Sequence, residues 1–222
     1  MEKPSLNLPA LIEAWDLDSA VEVLRTYYGA RYPKAGDRQP RLPYTGAWFD
    51  EFDLMGTRFD HPDEFTADDL VSVSLLNTPI KRESAEALLY DGSLRSKVSE
   101  LLRKTRVSDC LWDVGVPLDS SWSLWELENL LIEKVKGVRY TRASKLIARK
   151  RPHLYPINDE VVRELIWPGG IPEGRSFVGA VHEVFQNKER RDFLARVRQE
   201  AGLPEAVPLL RIFDVLAWMP QK

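Results

Sequence analysis

One cysteine, three histidines and no long apolar run set the first limits on this 222-residue chain. Cys110 alone cannot close an intrachain disulfide, and a zinc or iron–sulfur centre built from several thiolates of this chain is excluded. His61, His153 and His182 are scattered without ligand spacing, so neither a metal nor a cofactor is expected. No apolar stretch approaches the roughly 20 residues that span a bilayer, and the opening MEKPSLNLPALIEAW lacks a signal peptide's apolar core. The expectation is a cytoplasmic protein that does not enter a membrane. P-loops, dinucleotide fingerprints and nucleophile elbows are also missing.

What is present is a core. A hydrophobic fraction of 44% with seven Trp argues for a packed globule. Apolar residues recur at helical spacing and no stretch alternates like a strand, which predicts an all-α protein. Helices are expected over 18–32, from Thr66 with Asp69 as its capping-box partner, over 82–90 and 93–104, over 124–135 and from about Thr141, then over 177–186, 189–201 and 208–218. The chain reads as one helical domain of residues 1–222, or as two lobes. These would be an acidic lobe, 1–120, with a long aromatic loop at 34–65, and a hairpin-containing lobe, 121–222.

Charge is unevenly spread over the chain. Residues 1–70 carry 14 acidic against 7 basic side chains, whereas eight Lys or Arg and no Asp or Glu lie between Lys134 and His153. Around this basic run, the face Leu127, Leu130, Leu131 and Val135 predicts a helix, Gly137 permits a tight turn, Val138 plugs it, and a second helix packs back through Ala143, Leu146 and Ile147. Periodicity puts Arg142, Lys145 and Arg149 on one outward face, with Lys134, Lys136 and Arg139 at the tip. Orphan N–H groups at a helix start, ringed by cations, suit a sugar–phosphate backbone. Lys136, Gly137, Val138, Arg139, Thr141, Arg142, Lys145, Arg149 and Lys150 are therefore the candidate DNA contacts. A solvated helical face, or a docking helix for an acidic protein partner, would use the same charges.

Val135, Gly137, Val138, Thr141, Ala143 and Leu146, followed by Pro156, Ile157 and Asp159, resemble the helix-hairpin-helix motif as it occurs in the helical DNA glycosylases. That resemblance implies a helical glycosylase-like fold and places the family's essential aspartate at Asp159, after one inserted residue, Asn158. Arg139 stands where the motif carries its second glycine. Thr141 stands where lyase-active members carry the catalytic lysine, so an enzyme of this type would be a hydrolase without lyase activity. The segments YTGAWFD (44–50), FTADDLV (65–71), ASKLIARKRPHLYPINDEVV (143–162) and LRIFDVLAWM (210–219) are in turn similar to a bacterial family of unknown function.

Several residues have two readings. Asp159, or Asn158, is placed to cap the helix that begins EVVRELIW, and capping competes with catalysis as its role. Tyr44, Trp48, Phe49 and Phe52 would either anchor a long loop or line a pocket for a flipped base. Trp122 and Trp125 read as core, Cys110 as a buried apolar residue, and His153 as a neighbour of the phosphate site. A non-catalytic DNA-binding protein is the leading expectation, with base excision through Asp159 and protein docking as the alternatives.

Overall fold

The computed structural model describes residues 13–29, 44–55, 60–115 and 118–221. Ten α-helices lie wholly within the described residues, with several short 3-10 turns and no strand among those residues. The all-α expectation holds. The helices are α1 (Leu17–Tyr28), α2 (Ala67–Leu75), α3 (Arg82–Tyr90), α4 (Gly92–Leu102), α5 (Ser123–Lys134), α6 (Tyr140–Lys150), α7 (Glu160–Ile166), α8 (Phe177–Phe185), α9 (Lys188–Glu200) and α10 (Leu209–Trp218).

Contacts divide the chain into two compact units, one of Met1–Ala47 with Asn158–Lys222 and the other of Trp48–Ile157. A cut near residue 120 would separate α4 from α5, which pack directly on each other. In the first unit α1, α9 and α10 pack together, with Phe213 set between the rings of Trp15 and Phe185. Arg211 is buried there, donating to Asp214, the Tyr27 hydroxyl and the Gly46 carbonyl. In the second unit α3 packs on α4, α4 on α5, α5 on α6, and α6 on α2.

Local chemistry sets the helix ends. Asp16 accepts from the Ser19 N–H, Asp91 from those of Ser93 and Leu94, and Asp159 from that of Val161. The Thr66/Asp69 capping box forms, the Asp69 carboxylate accepting the Thr66 N–H at 2.8 Å. The first helix ends at Tyr28 on Gly29, short of the expected Tyr32, which lies outside the described residues together with the whole segment 34–43. No helix of the described residues is long and apolar enough to cross a membrane.

Candidate functional site

The expected hairpin forms in the second unit. Helix α5 runs to Lys134, Gly137 takes the left-handed turn at φ +84°, and α6 starts at Tyr140. Val138 plugs the turn at 3% exposure, and Ala143, Leu146 and Ile147 are fully buried on the inner side of α6. Two side chains lock the turn. Arg142 donates to the carbonyls of Gly137 (2.8 Å) and Pro79 (3.2 Å), and Ser84 of α3 donates to the Lys136 carbonyl at 2.7 Å. Arg139, rather than Thr141, holds the N-cap position, and no side chain caps it.

The outward basic stripe does not exist as a surface. Lys145, Arg149 and Lys150 are 4%, 1% and 2% exposed, and the neighbouring Arg151 is fully buried. The solvent-facing expectation for these residues is corrected by what packs against α6. The Arg149 guanidinium donates to the carbonyls of Phe49, Asp50 and Phe52 and to Asp69 Oδ1. Lys150 Nζ pairs with Asp69 Oδ2 at 2.6 Å and donates to the His61 carbonyl at 3.0 Å. Lys145 Nζ reaches the Thr78 hydroxyl (2.7 Å) and the Leu76 carbonyl (3.2 Å) at the end of α2. Arg151 fills its donors with Asp63, Thr105 and the carbonyls of Pro62 and Leu102. A buried cation is tolerated when polar acceptors replace its water, and each of these four reaches at least two. These four side chains therefore fasten α6 to α2 and to the segment 49–63.

What stays at the surface is the tip. Lys134, Lys136, Gly137, Arg139 and Tyr140 are exposed, Tyr140 by 55%, and Thr141 and Arg142 are half-buried. The α6 N–H groups of Tyr140 and Thr141 have no acceptor among the described residues, so the positive end of the helix is open. The start of α3 adds two cations, its N-cap Lys81 and its first residue Arg82. Lys81 lies against Gly137, its Cδ 3.9 Å from where a Cβ would stand, and the adjacent Arg82 side chain is 87% exposed. Glu83 is the counter-charge in this cluster. Its own backbone N–H, then Arg82, and then the fields of Lys136 and Lys81 hold its carboxyl below the usual range.

The other candidates are dispersed. Asp159 is half-buried in the first unit and spends its carboxylate on the Val161 N–H at 3.0 Å, while Asn158 accepts from Arg163. Of the loop aromatics, Phe49 is buried, Tyr44 stacks on Tyr27 at 5.4 Å, and Trp48 is 46% exposed. Trp122 is buried as expected and stacks on Tyr155 at 5.7 Å, but Cys110 is only half-buried. The His153 carbonyl accepts the Leu111 N–H. No cluster of three or more metal-ligating side chains occurs among the described residues.

One buried carboxyl escaped the sequence reading because it sits at helical spacing beside Leu127 and Leu131. Glu128 is 6% exposed, and its Oε1 and the nearby Tyr155 hydroxyl complete no hydrogen bond of acceptable geometry. Burial pushes the Glu128 carboxyl up to about 7, opposed only by the Tyr155 hydroxyl, while burial and Glu128 together raise Tyr155 well above its ordinary value.

No curated protein and no solved structure matches the chain. The model of DUF6308, a family of unknown function, matches residues 20–221, and the chain belongs to that family.

Proposed function

We propose that this DUF6308 member binds the sugar–phosphate backbone of DNA through the exposed hairpin tip, largely without sequence preference and without chemistry of its own. The observation that carries the reading is the open N-terminus of α6 among exposed Lys136, Arg139, Lys81 and Arg82. Backbone N–H groups with a positive dipole, flanked by mobile cations, suit a phosphate and carry no means of reading a base edge. Gly137 lets the chain turn without a side chain over the site. Lys145, Arg149 and Lys150 serve this function indirectly, by holding α6 in place.

The contact set is smaller than nine residues. It comprises Lys136, Gly137, Arg139 and Thr141 on the hairpin, with Lys81 and Arg82 at the start of α3; Arg142 shapes the turn. Asp159, engaged as the cap of α7, is assigned no catalytic role. Fluorescence anisotropy with a labelled duplex at two salt concentrations tests the proposal. Binding that weakens steeply with salt and varies little with sequence is expected. A protein that binds no duplex at low salt, or that co-purifies with an acidic protein through this same tip, would overturn it.

A further inference from the structure

Tyr140 stands between Arg139 and Thr141 at the exposed hairpin tip, and its side chain is more than half open to solvent. Helical positions four and seven apart share a face, and on the face of Tyr140 both Ser144 and Ile147 are fully buried. The core-facing stripe of α6 thus runs out of protein to cover it at Tyr140. Among the described residues its side chain has no hydrogen bond, ring contact or cation partner. The charges around it are also unspent. Glu83 pairs with Arg82 at 3.2 Å, whereas the exposed Lys81, Lys136 and Arg139 have no ion pair among the described residues. Tyr90 is more exposed still, but it ends α3, roughly 12 Å of helix from Arg82.

Cations and an open aromatic ring offer a nucleic acid two different contacts. Lys and Arg neutralise phosphates, which duplex and single strand both present. A ring stacks on the face of a base, and a paired duplex keeps those faces inside its own stack, whereas an unpaired strand turns them out. Resting on the tip as the DNA-binding surface, we propose that its preferred ligand is DNA with unpaired bases, one of which stacks on Tyr140 while Lys81, Lys136 and Arg139 hold the phosphates of the same strand. Stacking uses a face that every base has, so this preference for unpaired bases adds no reading of sequence. The phenol hydroxyl has no part in it.

Fluorescence anisotropy of the full chain at one salt concentration tests this with three labelled probes: a single strand, the same strand carrying abasic sites, and the fully paired duplex. The parent is expected to bind the single strand more tightly than either of the others. Tyr140→Ala, with unchanged Tm, should weaken single-strand binding roughly fivefold to a hundredfold and leave duplex binding within about twofold. Tyr140→Phe keeps the ring and should bind like the parent, as should Tyr90→Ala, an exposed aromatic away from the tip. Duplex binding that is salt-sensitive, with no gain for the single strand, overturns the stacking alone. So does a Tyr140→Ala variant that holds the single strand as tightly as the parent, or an abasic strand bound as well as the intact one. Failure to bind any of the three probes overturns both the stacking and the DNA-binding tip.

Discussion

Lys150 Nζ lies 2.6 Å from Asp69 Oδ2, and neither side chain is open to solvent. The same carboxylate closes the α2 capping box on Thr66 and accepts from Arg149, so one aspartate serves two buried cations and a helix end. Its loss would leave those cations without a counter-charge, the circumstance in which a buried ion pair matters most.

Asp69→Ala is accordingly expected to cost about 3–5 kcal/mol, read as the urea-unfolding free energy. The pair Asp69→Asn with Lys150→Met should be less damaging than the sum of the single changes. Strict additivity in that double-mutant cycle would argue against direct coupling.

Surface and buried cations separate in their effects on binding. Lys136→Ala with Arg139→Ala should leave stability within about 0.5 kcal/mol. Duplex affinity should fall, and the salt slope should flatten by about two. Arg149→Ala should instead lower the Tm first, any loss of binding following the loss of fold. Equal affinities for the tip variant and the parent would remove the tip from the interface.

Glu128 predicts a pH dependence. Its folded-state pKa of about 7 lies above the ordinary 4.5, so the protonated form fits the folded state better than the ionised one. The favourable contribution is complete below about pH 4.5, falls as pH rises, and is gone above about pH 7, a change of about 3 kcal/mol by linkage. Glu128→Gln should flatten the stability profile between those pH values. An unaltered profile would count against a buried, titrating Glu128.

Asp159→Ala should lose about 1 kcal/mol through the α7 cap, whereas Asp159→Asn, which can still accept from Val161, should lose little. If Asp159→Asn abolished a base-releasing activity of the parent, the side chain would have a catalytic use beyond capping.

The amino-acid sequence alone determined the helices, the Thr66/Asp69 cap, a cap for α7 at Asn158 or Asp159, the Gly137 turn and the Val138 plug, because these depend on neighbours within a few residues. It also placed eight cations around the hairpin and showed which of them share a helical face. Only the tertiary structure decided where that face points. The acceptors that enclose Arg149 and Arg151 include carboxylates 80 and 88 residues away in sequence, at Asp69 and Asp63. Most of the rest are main-chain carbonyls, whose availability no side-chain pattern records. Helical periodicity treats Lys and Arg as residues for water; desolvated carbonyls and a paired carboxylate can substitute for water, and here they turned an apparent binding stripe into the interior of its own scaffold.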